Sequence, residues 1–243
     1  MKNAAIIIPT RLDAKRFPNK PLAQINGIPM VVHVLNRAKE SKIGDVFVAT
    51  PDSKILKIVN ENGGQAVLTK PEHLSGSDRI YEVYEKKLKG KVDLIINLQG
   101  DMPNIKPECI SKLEKFMRKN KCDIGTLAST IKNKHEIMNP NIVKVNTSEE
   151  LKEDNFSDAK DFFRVKNDLK NAKIYHHIGI YAFTSDALTK YVELSRSELE
   201  MERNLEQMRA LENNLLIKVA LSDSTPLGVD TEEDLKKVAR EMN

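Results

Sequence analysis

The chain has 243 residues, with 39 Lys and Arg against 35 Asp and Glu and a formal net charge of +4. That length suits one α/β domain with a modest insertion, and the slight positive balance favours anionic ligands without naming one. The absence of Trp and an aromatic content of only 5% speak against a single-stranded nucleic-acid binder, which stacks bases on aromatic side chains.

Two cysteines, Cys109 and Cys122, are too few for a disulfide framework and form no CxxC pattern, so both read as reduced thiols. The apolar run near the start is short, and its charges (Arg11, Lys15, Arg16) follow rather than precede it, unlike a secretory signal. No stretch is apolar enough to span a membrane. A cytoplasmic protein is expected.

In chain order, residues 4–8 read as a first strand and residues 29–41 as an amphipathic helix with Met30, Val31, Val34, Leu35 and Ala38 on one face. Pro29 is expected in its first turn. Residues 46–50 read as a second strand, 53–62 as a helix ending at Gly63-Gly64, and 66–69 as a third strand. A helix at 78–88 precedes the nearly continuous apolar run 93–99, which is expected to be a strand buried on both faces. A helix at 107–119 and strands at 124–129 and 143–146 follow. Residues 147–173 turn polar with little periodicity and predict an exposed, partly irregular insertion or arm. The remainder reads as a strand at 177–183, a helix at 199–211, a strand at 215–220 and a closing helix at 231–242, with Thr231 and Asp234 in capping register. Alternating strands and helices predict a mostly parallel central sheet with flanking helices, a single α/β domain.

Ligands of such sheets bind beyond the carboxyl ends of the strands. The loop after the first strand carries Arg11, Lys15, Arg16 and Lys20 against a single Asp13, and Pro18 and Pro21 restrict the backbone around Lys20. These cations suit a triphosphate, or else form a solvated basic loop. Asp101 follows the central strand directly after Gly100, where a carboxylate can hold Mg²⁺ or cap a turn. Asp230 lies at a strand-to-helix junction and reads equally as a helix N-cap. Ser75-Gly-Ser-Asp-Arg79 offers hydrogen bonds to a base or ribose and is also an ordinary helix start. No GxGxxG follows the first strand, and no GxxxxGK[ST] or GxSxG occurs, which argues against a dinucleotide fold, a P-loop and a hydrolase elbow.

Taken together, Ile8-Pro-Thr-Arg11, Lys20-Pro-Leu22, Ser75-Gly-Ser-Asp-Arg79, Asn97-Leu-Gln-Gly-Asp-Met-Pro103, His177-Ile-Gly-Ile-Tyr181, Leu205-Glu-Gln-Met-Arg-Ala-Leu211 and Val229-Asp-Thr-Glu-Glu-Asp-Leu235 resemble the 3-deoxy-manno-octulosonate cytidylyltransferase family nearly end to end. The resemblance implies a nucleotide-diphospho-sugar transferase fold with a small dimerisation arm, usually a homodimer. It implies magnesium-dependent transfer of CMP from CTP to the anomeric hydroxyl of 3-deoxy-manno-octulosonate, for lipopolysaccharide biosynthesis. Another acidic sugar of the 8-amino or sialate type, or a non-catalytic sugar-nucleotide binder, is the alternative.

By the same resemblance, Arg11 and Lys20 bind the CTP phosphates, with Arg16 a weaker candidate, and Asp101 and Asp230 ligate magnesium. Ser75, Gly76, Ser77 and Arg79 surround cytidine, and Gln99 lies near nucleotide and sugar. His177, Tyr181, Glu206 and Gln207 contact the acidic sugar, and Arg209 is either a further contact or half of a structural ion pair. No general base is obvious, and Asp101, His177 and a metal-bound hydroxide all stand as candidates. The chain departs from the family at Asp158, where a Tyr-Phe-Ser-Arg segment commonly has its Arg, and at Met102, where a polar or acidic residue is common.

Overall fold

The apolar run at the start of the chain forms β1 (Asn3–Pro9) in a computed structural model that describes residues 3–13, 16–166, 169 and 171–242. Two compact units divide the chain, Met1–Ser111 with Pro226–Asn243, and Lys112–Thr225.

In the first unit, β1 leads through a loop and a 3₁₀ turn at Lys20–Leu22 to a two-residue hairpin, β2 (Gln24–Ile25) and β3 (Ile28–Pro29). Asn26 and Gly27 both take positive φ between them, the backbone that a tight hairpin turn requires. Helix α1 (Met30–Glu40) follows with Pro29 just outside it, at the N-cap rather than in the first turn. Next come β4 (Gly44–Thr50), α2 (Ser53–Glu61) and β5 (Gln65–Leu68). Helix α3 (Gly76–Val83) continues into a π-helical segment at Tyr84–Leu88 before β6 (Val92–Asn97).

Four strands of this unit run parallel in the order β5-β4-β1-β6, since the helical connections between them are long enough for crossovers. Ile6 lies between Val46 and Ile96, and Ile6, Ile7 and Ile8 are fully buried, as expected of a strand covered on both faces. Helix α4 (Pro107–Lys119) begins in this unit and ends in the second.

The second unit contains β7 (Ile124–Ser129), α5 (Lys134–Met138), β8 (Lys144–Thr147), β9 (Phe156–Phe163) and β10 (Lys173–Thr184). After them come α6 (Ser185–Glu193), α7 (Glu198–Arg203), α8 (Gln207–Glu212) and β11 (Ile217–Leu221). Its strands run in the order β10-β7-β11-β9-β8, with β8 also paired to β10, so this sheet closes on itself. Only β7 and β11 are parallel; the other pairings are antiparallel. The connections from β8 through β9 to β10 are too short for helical crossovers. The parallel sheet that the sequence predicts is therefore that of the first unit.

Two sequence expectations are corrected here. The stretch 147–173, expected to be exposed and partly irregular, contains the regular strand β9, with Phe156, Ser157, Phe162 and Phe163 buried. The single helix expected over 199–211 is two, because Asn204 takes a left-handed conformation (φ 52°) that ends α7. The last helix, α9 (Glu232–Glu241), returns to the first unit, its N-terminus closed by the Thr231–Asp234 capping box. Ile25, Met30, Val229 and Val238 form a buried cluster against Phe17, Leu227 and Leu235. This packing fixes the segment that carries Asp230.

Candidate active site

Three segments of the first unit meet at its strand ends. The amide of Thr10 donates to the Ala49 carbonyl at 3.0 Å, and that of Leu98 donates to Ile7 at 3.1 Å, so the chain leaves β1 and β6 side by side. At Gly100, an added Cβ would stand 3.0 Å from the Pro9 carbonyl oxygen and 3.2 Å from Thr10 Cβ. Only a residue without a side chain fits so close to a neighbouring backbone. The turn it allows delivers Asp101, whose carbonyl accepts from the Val229 amide at 2.9 Å. Asp230 is thereby set next to Asp101 although 129 residues separate them in the chain.

Lys20 joins the two acids. Its Nζ lies 3.1 Å from Asp101 Oδ2, 2.6 Å from the Val229 carbonyl oxygen and 3.5 Å from Asp230 Oδ1. Arg16 reaches the other oxygen of Asp230 at 2.9 Å. The Lys20 side chain is only 14% exposed, while Asp230 is 44% exposed and Arg16 63%, so the arrangement is buried at the lysine and open to solvent at the arginine. Asp230 does not cap α9, because Thr231 does. Lys20, Arg16, Asp101 and Asp230 thus come together, whereas Arg11 is exposed and Lys15 lies outside the described residues.

Two carboxylates and a carbonyl oxygen converging on one small cation form a hard donor set that suits Mg²⁺. No cluster of three or more His, Cys, Asp or Glu side chains arranged for a metal occurs among the described residues. A divalent ion here would complete its shell with water and phosphate oxygens, as Mg²⁺ ordinarily does.

The Ser75–Arg79 segment opens α3. Ser75 is the helix cap: its hydroxyl accepts from the Asp78 amide at 3.1 Å, and the Asp78 carboxylate accepts from the Ser75 amide. Gly76 lies against Pro9 and within 4 Å of Gln99 Oε1, measured from a built Cβ. Ser77 is buried, as is Arg79, which donates to Thr69 Oγ1 and the Lys70 carbonyl. Burial and the like charge of exposed Arg11 hold the Arg79 pKa below its usual value, partly offset by Asp52 and Glu82. Later in α3, Glu82 accepts from the Lys70 amide and contacts His73. Burial would raise the Glu82 carboxyl, yet its bonds to Lys86, His73 and Lys70 bring it down to about 2.

The second unit holds the remaining predicted residues. His177 is buried, with Nε2 at 3.0 Å from Thr126 Oγ1 and its ring edge-on to Phe162 and beside Tyr181. Burial, aided by His176, pushes its pKa down to about 3, so it stands as a neutral hydrogen-bonding group rather than a cation. Burial also raises Tyr181 well above the ordinary tyrosine value, with Glu206 and Tyr191 adding to the shift.

Arg209 is half of a structural pair: Nε and Nη2 meet the two oxygens of buried Glu200 at 2.8 and 2.7 Å, and the guanidinium lies over the Tyr191 ring. The Tyr191 hydroxyl in turn donates to the Glu206 carbonyl at 2.9 Å. Together these contacts hold the short turn that presents Glu206 and Gln207. At the departure from the family pattern, Asp158 lies 3.0 Å from Lys218.

One residue that sequence reading passed over belongs with the first unit's set. Asp52, just beyond β4, accepts the Leu12 amide with Oδ2 at 2.9 Å. Its signal in the sequence is an acid placed directly after a parallel strand, at a helix start.

A cytidylyltransferase family model matches residues 5–219. The 3-deoxy-manno-octulosonate cytidylyltransferase of Nitrobacter winogradskyi is 42% identical over 236 residues, covering 95% of this chain and 91% of that protein. The enzyme of the same description from Paramagnetospirillum magneticum is 41% identical, over 96% and 94% of the two chains. A solved CMP:2-keto-3-deoxy-manno-octonic acid synthetase complexed with CTP superposes with a TM-score of 0.89 at 35% identity, over 99% of this chain and 98% of that one. At 15% identity, the 4-diphosphocytidyl-2C-methyl-D-erythritol synthase of Anaerococcus prevotii shares the fold, with a TM-score of 0.66. With full-length similarity at this level, the chain belongs to the 3-deoxy-manno-octulosonate cytidylyltransferase family.

Proposed function

We propose that this protein transfers CMP from CTP to the anomeric hydroxyl of 3-deoxy-manno-octulosonate, releasing pyrophosphate, with Mg²⁺ held by Asp101 and Asp230. The observation that carries this reading is the meeting of both carboxylates on the Lys20 ammonium, with Arg16 on the far oxygen of Asp230. A protein that only binds a sugar nucleotide has no use for two acids aimed at a polyanion.

Bringing an anionic sugar to a triphosphate is electrostatically unfavourable, so charge must be neutralised before reactants are oriented. Lys20 supplies a fixed cation to the triphosphate, and Arg11 and Arg16, both exposed, supply two more. Magnesium, when bound, offsets the charge that builds on the phosphate oxygens as pyrophosphate leaves. Ser75, Gly76 and Ser77 offer hydroxyl and backbone groups to cytidine, and Gly100 lets the turn that carries Asp101 pass close to Pro9. In the second unit, Tyr181, Glu206 and Gln207 bind sugar hydroxyls. His177, neutral by burial, orients the acceptor by hydrogen bonding.

Pyrophosphate release measured with CTP, UTP and GTP against a panel of acid sugars tests the reading: CTP with 3-deoxy-manno-octulosonate is expected to be the preferred pair. Asp158, an acid where relatives commonly have arginine, favours a second reading in which the acceptor carries an amino group, as in the 8-amino sugar. The same panel separates the two. Family resemblance also supports a homodimer in the cytoplasm, and no helix among the described residues is long and apolar enough to cross a membrane. Sedimentation of the purified protein checks the oligomeric state.

A further inference from the structure

The loop that carries Arg11 has no regular structure of its own, yet a cation that meets phosphate is most effective when it is held in advance. Its anchors lie on either side of Arg11. The Thr10 amide is tied to the Ala49 carbonyl at 3.0 Å. The Leu12 peptide is held at both ends, its carbonyl by the Asn19 amide at 3.0 Å and its amide by Asp52 Oδ2 at 2.9 Å.

Asp52 occupies the N-cap position of α2, where its backbone is extended, but its side chain makes no capping bond to that helix. An aspartate in this position ordinarily caps its own helix. Here the carboxylate is turned away to a loop forty residues earlier, and the Asp52 amide is braced by Thr50 Oγ1 at 3.2 Å. Its negative charge also lies in the field of buried Arg79, which in turn senses Arg11, so it offsets the crowding of two guanidinium groups. Neither role serves α2.

We propose that Asp52 is a positioning residue for the triphosphate, fixing the Arg11 backbone through the Leu12 amide so that the guanidinium is in place before CTP arrives. The proposal rests on the reading of Arg11 as a phosphate contact.

Asp52→Ser and Asp52→Asn test it. Serine caps α2 well but is too short to reach Leu12, so this variant keeps helix stability and loses the loop tie. Asparagine keeps an acceptor oxygen for the Leu12 amide. Kinetics with each substrate varied in turn, calorimetric titration with inorganic tripolyphosphate, and thermal denaturation are the readouts. Asp52→Ser is expected to raise the KM for CTP and weaken tripolyphosphate about tenfold or more, the scale of a lost charge-assisted hydrogen bond. The KM for the sugar stays unchanged, and Asp52→Asn, which keeps the acceptor but not the charge, is less impaired than Asp52→Ser.

Unchanged tripolyphosphate affinity in Asp52→Ser overturns the proposal. So does a rise in both KM values together with a lower melting temperature, or an Asp52→Asn protein as impaired as the serine variant. A wild-type protein that binds tripolyphosphate but turns over no CTP, and loses that binding in Asp52→Ser, leaves the role of Asp52 standing and sinks the transfer reading. One that binds no tripolyphosphate sinks both.

Discussion

The Lys20 ammonium rests 3.1 Å from Asp101 Oδ2, in the place between two carboxylates that a divalent cation would take. On the proposed magnesium assignment, lysine and metal compete for one set of oxygens. Lys20→Met is expected to tighten Mn²⁺ binding in the absence of nucleotide, read by electron paramagnetic resonance, while raising the KM for CTP. Weaker or unchanged Mn²⁺ binding would show that the ammonium does not occupy that place.

Asp101→Asn keeps the shape of the turn at Gly100 and removes the charge. Turnover should fall by about 10² to 10⁴, the scale of a lost group that stabilises transition-state charge. Thermal denaturation should stay close to wild type, since this partly exposed carboxylate is not part of the core. Chelation of divalent ions should abolish pyrophosphate release in the wild type, and added magnesium should restore it.

Gly100→Ala tests the close approach of two backbones. The new methyl would press on the Pro9 carbonyl oxygen at 3.0 Å and on Thr10, groups held by the sheet and unable to retreat cheaply. A stability loss of about 1–3 kcal/mol is expected in denaturant titration, with a fall in turnover as Asp101 is displaced.

Glu200→Gln breaks a pair in which both members are nearly inaccessible, and leaves Arg209 buried without its counter-charge. About 3–5 kcal/mol of stability should be lost. Burial alone would raise the Glu200 carboxyl; the bonds and charge of Arg209, with Arg196 and the Ser197 amide, outweigh it and hold it below the ordinary range. Its contribution to stability is therefore present at neutral pH and is lost as pH falls through that lowered value. The Gln variant should lack this acid-dependent loss.

His177 provides a second pH signature, with a different chemical origin. Folded, it takes up a proton only near pH 3; unfolded, it does so near its ordinary value of 6.5. Between those values the unfolded chain binds more protons, so stability falls as pH is lowered through this window. His177→Gln should flatten that part of the stability profile, as measured by denaturant titration at successive pH values.

Much of the first unit was legible because its strands are long apolar runs and its chemistry is carried by charged residues directly after them. Asp101 was legible from its place after a buried parallel strand, while its pairing with Asp230 came from the family resemblance. The hairpin at Asn26-Gly27 escaped notice because its strands are two residues each, too short for any period to show.

In the second unit, β9 was hidden by its own irregularity. Ala159 faces Thr147 and Asp161 faces Asn146, so Lys160 is an extra residue that breaks the alternation by which strands are recognised. The break at Asn204 was masked in another way: apolar residues on both sides keep helical spacing, and only a left-handed asparagine shows that the helix has ended. Asp52 was missed because its partner is a main-chain amide, which carries no mark in the sequence.

One ammonium group, delivered early by ribosomal synthesis, touches residues delivered midway and very late. A nascent chain halted before Val229 would already have its parallel sheet, yet Lys20 would have neither that carbonyl nor Asp230 to hold. Chemical competence should therefore arrive abruptly, with the emergence of the last helix, and short C-terminal truncations should silence the enzyme well before they unfold it.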